Sequence, residues 1–138
     1  MNKIVSFESI GYVAATFPVD AATQAYLKEN HLATTTGNVD INGKKLAVKL
    51  GADGKVGFGT GEAADKLLGI IVAYEMDGFA SVQIAGGVDE VPTSAAVTAG
   101  RQALVVNAKG EIVVVEGGRE VTVAIPSTSD NKFASIIL

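Results

Sequence analysis

The chain has 138 residues, 48% of them hydrophobic, with 15 acidic and 11 basic side chains and a formal net charge of −4. That acidic balance excludes nucleic acid as a partner, because phosphate binding needs a basic face, and the absence of cysteine excludes a disulfide framework or a thiolate metal site. One His, two Met and no Trp leave few groups for redox or metal chemistry, so no cofactor is expected.

No apolar run reaches the roughly 18–20 residues of a membrane-spanning helix, so no membrane partner is expected. The positive mean hydropathy of +0.33 then predicts burial in one domain core and in contacts between chains. The first residues carry Lys3 and Glu8 with no apolar signal region between them, which does not read as a secretory leader.

Residues 1–19 hold apolar groups with little period and read as an extended N-terminal arm, with one short strand around 11–15. Pro18 keeps Phe17 extended. The arm either folds back on its own core or reaches a neighbouring chain, and Ile4, Phe7, Ile10, Tyr12 and Phe17 are its candidate intersubunit or capsid contacts. Residues 20–138 read as a single β domain. It opens with a short helix over 20–30, capped by Asp20, with Ala21, Ala25 and Tyr26 or Leu27 sharing a face.

From Val39 the period becomes two. Asn42-Gly43 is a hairpin signal, and Leu46, Val48 and Leu50 alternate with Lys45, Ala47 and Lys49. A turn at 52–55 leads to a strand at 56–58. The glycine-rich 57–61 reads as a flexible loop. Residues 67–74 are a continuous β-branched apolar run, which predicts a strand buried on both faces. Asp77-Gly78 turns the chain into 79–85, where Ala80, Val82 and Ile84 face one side and Ser81 and Gln83 the other. Gly86-Gly87 breaks this strand, and 88–91 resumes up to Pro92. Residues 93–100 read as one helical turn closed by Gly100. Strands follow at 102–106, 111–115, 121–125 and 133–138. The last is apolar enough that it must be paired and covered.

The chain also echoes itself. Residues 46–56 resemble 102–112, 70–73 resemble 121–124, and 79–84 resemble 133–138. Segments 43–87 and 100–138 thus read as a pseudo-repeat. The fold class expected is mainly β: a small β-barrel or β-sandwich with one short helix and the arm.

Motifs for chemistry are weak. Residues 51–56 are too short for a phosphate loop, and no Ser or Thr follows Lys55. His31 stands alone, with no second His or Cys to complete a zinc site and no Gly-x-Ser-x-Gly elbow to serve. Asp89 and Glu90, as strand neighbours, would point to opposite faces. Asp53, Asp77 and Asp130 fall at turns, where Asp is favoured for backbone reasons. The chain is expected not to be an enzyme, with no catalytic, cofactor-binding or metal residues.

Leu68-Gly69-Ile70-Ile71-Val72-Ala73, Asp77-Gly78, Ser81-Val82-Gln83-Ile84-Ala85-Gly86-Gly87, Thr98-Ala99-Gly100 and Val105-Val106-Asn107-Ala108-Lys109-Gly110-Glu111-Ile112-Val113 together resemble a known pattern. It is that of the small capsid decoration, or cement, proteins of tailed bacteriophages, and it covers residues 43–115. The resemblance implies a structural virion protein, made in the host bacterial cytoplasm. It would bind the outer surface of an icosahedral capsid, with the major capsid protein as partner and a homo-oligomer, commonly a trimer, as its working state. Two other classes remain: a β-barrel module for a small molecule or carbohydrate, and another phage virion β protein such as a tail tube subunit.

Overall fold

The computed structural model describes residues 13–29, 38–39, 45–75 and 78–138. The fold is mainly β, with two antiparallel sheets and one short helix among the described residues. The hairpin signal at Asn42-Gly43, His31 and Asp77 lie outside the described residues, as do Ile4, Phe7, Ile10 and Tyr12.

The first sheet has the order β1 (Val13–Pro18), β6 (Phe79–Ala85), β5 (Gly69–Glu75), β3 (Ala47–Leu50), β4 (Val56–Gly57), with β2 (Asn38–Val39) beside β5. The described part of the expected arm therefore folds back on this chain's own sheet. After β1, Asp20 caps the helix α1 (Ala21–Glu29): its Oδ1 accepts the Thr23 N–H at 2.7 Å. The buried face of α1 differs from the expected one. Thr23 and Leu27 are buried, one turn apart, while Ala21 and Ala25 are exposed. The reason is a backbone group: Thr23 Oγ1 accepts the Phe58 N–H at 3.1 Å, so a hydroxyl is needed against the end of β4.

The second sheet has the order β7 (Gly87–Pro92), β11 (Phe133–Ile137), β10 (Arg119–Ile125), β8 (Gly100–Val106), β9 (Ile112–Val114). Position by position this is the order of the first sheet, and the finer geometry repeats too. Val19 N–H donates to Gly78 O at 2.8 Å, and Thr93 N–H to Lys132 O at 2.9 Å. Asp20 N–H donates to Val56 O, and Ser94 N–H to Ile112 O. The turn after β3 closes with Gly51 N–H on Lys55 O, and the turn after β8 with Asn107 N–H on Glu111 O. Parallel bridges Val19–Val56 and Thr93–Ile112 curl each sheet back on its own first strand. A register shift after Ile71 in β5 has its counterpart after Val123 in β10. The matched segments 46–56 with 102–112 and 79–84 with 133–138 are those whose sequences echo; the third echo, 70–73 with 121–124, is out by one residue, because Ile71 pairs with Val82 as Val123 pairs with Ile136. The structure adds β1 and β7 to the match.

Three local expectations are corrected. Residues 93–99 form no helical turn; Val97 is drawn into the core, its N–H bound to Ser127 Oγ at 2.8 Å and its carbonyl to Ser127 N–H at 3.0 Å. Asp89 and Glu90 do not simply alternate. They lie at a bulge opposite Ser135, where Glu90 takes a left-handed φ of 56°. Gln83 is buried rather than solvent-facing, because its Nε2 donates to Ala85 O at 3.1 Å and Gly87 O at 3.0 Å across the passage from one sheet to the other.

The core has two clusters. One gathers Val48, Val56, Ile71, Ala80 and Val82 of the first sheet with Leu27 and Tyr74. The other gathers Leu104, Ile112, Val123, Ala134 and Ile136, the matched positions of the second sheet. Neighbours along the chain feed opposite clusters: Ala47 and Ile70 join the second, Val48 and Ile71 the first. β3 and β5 are thus a wall shared by both cores, which is why 67–74 reads as apolar on both faces.

Because both cores lean on this wall, Ile70→Ala and Ile71→Ala are each expected to cost about 2–5 kcal/mol. Urea unfolding should remain one cooperative transition in both; two separated transitions would show that the cores stand independently. Gln83→Leu strands two carbonyls at the passage between sheets. It is expected to cost about 1–3 kcal/mol in the same measurement.

Candidate interaction surface

Of the five expected contact residues, Phe17 is the one within the described residues. It stands in β1 opposite Ala80, half-buried, and packs against the first core cluster. It is therefore a core-edge residue as well as a member of the arm. The side chain at the other end of the same strand, Val13, is 54% exposed.

The first strands of the two sheets, matched in position, have opposite edges. β7 carries Asp89 and Glu90 in its bulge, with Ser135 Oγ donating to Asp89 Oδ1 at 3.1 Å and Lys45 Nζ to Asp89 O at 2.8 Å. A bulge with carboxylates is a poor template for another strand. β1 has no charged residue over Val13–Pro18, and from Ala14 to Pro18 its register with β6 is regular. Among the described residues its one strand neighbour is β6. A neutral, regular sheet edge is the kind that accepts an added strand.

The glycine-rich 57–61 is not a loose loop. Gly59 N–H donates to Asn107 O at 3.3 Å and Gly61 N–H to Val106 O at 3.0 Å, so the segment runs along β8. A Cβ on Gly59 would lie 2.5 Å from Val106 O, so the glycine serves close approach. Asp65 fastens this segment. Its Oδ1 accepts from Lys49 Nζ at 2.7 Å, and its Oδ2 from the Thr60 N–H at 2.7 Å and Thr60 Oγ1 at 2.8 Å. The Lys49 hydrogen bond first, and then the Thr60 N–H, hold its carboxyl well below the usual carboxylate range, against the opposing effect of burial. Composition gave no hint of this role, since Asp65 lies 16 residues from Lys49. Arg119 on β10 reaches across to the first sheet, donating to the carbonyls of Leu68 and Ile84. Burial lowers its pKa from the ordinary guanidinium value.

Two open hollows flank the turn at 107–110. One, of about 450 Å³, is lined by Thr60, Ser94, Asn107, Lys109, Glu111 and Lys132. The other, of about 250 Å³, lies where Tyr26 meets Phe58 edge-on, with ring centroids 5.1 Å apart. Among the described residues no three His, Cys, Asp or Glu side chains gather as a metal site. Asp53 caps its own turn through the Lys55 N–H at 3.1 Å. The surface features that stand out are apolar: Val13, Leu50, Val72, Phe79, Val114 and Phe133 are all exposed.

Asp65 has an ordinary value of 3.8 when free of these partners, and its folded value lies far below that. Its network therefore stabilises the fold above the unfolded value and is lost as pH falls through the range beneath it. Asp65→Asn is expected to lower stability by on the order of 2–3 kcal/mol at pH 7. Its deficit against the wild type should shrink below about pH 4. Urea titrations at pH 7, 5 and 3 check this; a gap that is constant across the series would contradict it.

Comparison with models of known families, with characterised proteins and with solved structures finds no match to this chain.

Proposed function

We propose that this chain is a structural virion protein: a decoration protein that binds the outer surface of an icosahedral phage capsid and stabilises it. Its partners are the major capsid protein and copies of itself, in a trimer. The observation that carries this reading is the sheet edge at β1. It is uncharged, is regular from Ala14 to Pro18, ends beyond a register shift on exposed Val13, and continues in sequence from the segment holding Ile4, Phe7, Ile10 and Tyr12. Extended apolar segments on a stiff β scaffold suit lateral contact between proteins. Several weak contacts of this kind, repeated by an oligomer on a lattice, gain through effective concentration. The strand and glycine pattern of 43–115 supports the same reading. The reading as a small-molecule or carbohydrate module has less behind it. The hollow beside Tyr26 and Phe58, at about 250 Å³, is below the roughly 300–1,000 Å³ usual for ligand pockets. The hollow of about 450 Å³, though large enough, is lined almost wholly by polar and charged side chains rather than by the apolar and aromatic ones such pockets use.

The structure also sets where a test should cut. Removing residues through 17 would strip β1 and take Phe17 from the core, so the informative deletion is 2–11. Full-length protein should co-sediment with expanded capsids lacking their decoration protein, and should have an oligomeric mass in solution. The 2–11 deletion should lose at least about tenfold in capsid affinity, a change of about 1.4 kcal/mol, with its far-ultraviolet circular dichroism unchanged. A full-length chain that is monomeric and does not sediment with capsids sinks the proposal, and binding to a glycan array instead would favour the alternative.

A further inference from the structure

We propose that the polar hollow of about 450 Å³ beside the turn at 107–110 is a docking site for an acidic segment of a partner polypeptide, whose carboxylates lie against Lys109 and Lys132. The inference deepens the decoration reading and rests on it, since on that reading the segment belongs to the shell subunit.

Two ammonium groups line this hollow against one carboxylate, Glu111, on a chain whose net charge is −4. The backbones of both lysines are held. Asn107 Oδ1 accepts the Lys109 N–H at 2.9 Å in the turn after β8, and Lys132 O accepts the Thr93 N–H at 2.9 Å. Neither ammonium group has a hydrogen-bond or ion-pair partner among the described residues. Glu111, by contrast, is already engaged: its Oε1 accepts from Asn107 Nδ2 at 2.9 Å. The cations are the groups left to meet another molecule.

The repeat shows that the fold itself needs neither lysine. Matched turn bonds put Gly51 with Asn107 and Gly78 with Lys132. The counterparts of Lys109 and Lys132 in the first unit are therefore Asp53 and Gly78. The first unit also shows what kind of group settles on this ground. Ser94, on the hollow, matches Asp20, where α1 begins. Gly78 stands against that helix, since a Cβ on it would lie 3.3 Å from Gln24 Nε2. In the first unit a segment of the chain itself thus lies over part of the ground that the second unit leaves as a hollow.

The lining suits a polypeptide better than a phosphate. A phosphate dianion offers acceptors alone, and Glu111 would repel it. An acidic segment offers carboxylates to the two ammonium groups and backbone N–H groups to the Glu111 oxygen that Asn107 leaves free. The Ser94 hydroxyl can donate or accept. Both lysines are exposed, so their contribution is screened by salt and falls on encounter rate and orientation as much as on affinity.

The test uses the full chain with Lys109→Gln, Lys132→Gln and the double variant. Lys55→Gln, on the matched turn of the first unit, is the control for net charge. On expanded capsids lacking their decoration protein, at about 50 mM salt, each single variant should lose about threefold and the double about tenfold, and the differences should close to within about twofold at about 0.5 M salt. Lys55→Gln, Lys109→Arg and Lys132→Arg should bind as wild type, and all variants should melt as wild type. Hexaglutamate peptide at millimolar concentration should shift the amide resonances of Ser94, Lys109 and Glu111 in the wild type and not in the double variant. Inorganic phosphate at the same ionic strength should shift them less. A double variant that binds capsids as wild type, or a Lys55→Gln loss equal to that of Lys109→Gln, overturns the inference and leaves the decoration reading intact. So does a hollow that responds to phosphate as strongly as to the peptide. A wild-type chain that binds no capsid overturns the decoration reading and, with it, the shell subunit as occupant.

Discussion

The structure depends on one wall. β3 and β5 lie between two apolar clusters, and successive residues along them point into alternate cores: Ala47 and Ile70 to one side, Val48 and Ile71 to the other. Where the strands lie between the cores, at 47–48 and 70–71, neither face can be polar, since either would place an unsatisfied group in an apolar interior. Beyond that stretch Lys49, Leu50 and Val72 reach solvent. Phe58 packs against both clusters and joins them at the end of the wall. Backbone bonds fasten the same seam: Leu67 N–H donates to Leu104 O and Val106 N–H to Asp65 O. Two curled sheets of modest size thereby share surface that each alone would leave to water, which matters for a chain of this length.

The two sheets are variations on one unit. Strand order, parallel closing bridges, turn hydrogen bonds and a register shift after the matched residues Ile71 and Val123 all recur. Their differences lie at the periphery. In the first unit α1 follows the first strand and seats Thr23, Leu27 and Tyr26 over β4. In the second, the short stretch 94–99 does the covering, with Val97 held by Ser127. Edge chemistry differs as well: β7 is bulged and acidic, β1 neutral and, from Ala14 to Pro18, regular. One unit has a blunted edge and the other an open one, an asymmetry that suits a body with a preferred contact side.

Function in this reading comes from surface rather than from a cleft. The best-organised polar group, Asp65, has each carboxylate oxygen bound to donors within the chain and serves to hold 57–66 against β8. A carboxylate so fully engaged is a fastening, not a proton carrier.

Much of this was legible in the residues. The period of two, the Gly-containing turns, the helix cap at Asp20 and the two-faced apolar run at 67–74 are local signals, because they follow from backbone conformation and from which side chains tolerate water. Even the echo of 46–56 in 102–112 is local, since a strand–turn–strand unit repeats its own turn chemistry. Pairings over long separations were not legible. Nothing in Val13–Pro18 announces that it matches Gly87–Pro92, because α1 and the residues after it shift the spacing in one half and leave Pro as the shared mark. Nor could spacing show that Gln83 would be buried, that Glu90 would take a left-handed backbone, or that glycines at 57–61 serve close approach to β8. Those are decided by which surfaces meet. The sequence alone determined the elements and their apolar faces, through local sterics and hydrophobic period; tertiary structure alone decided that two such sets curl separately and share a wall, because burial is settled only when distant segments come together.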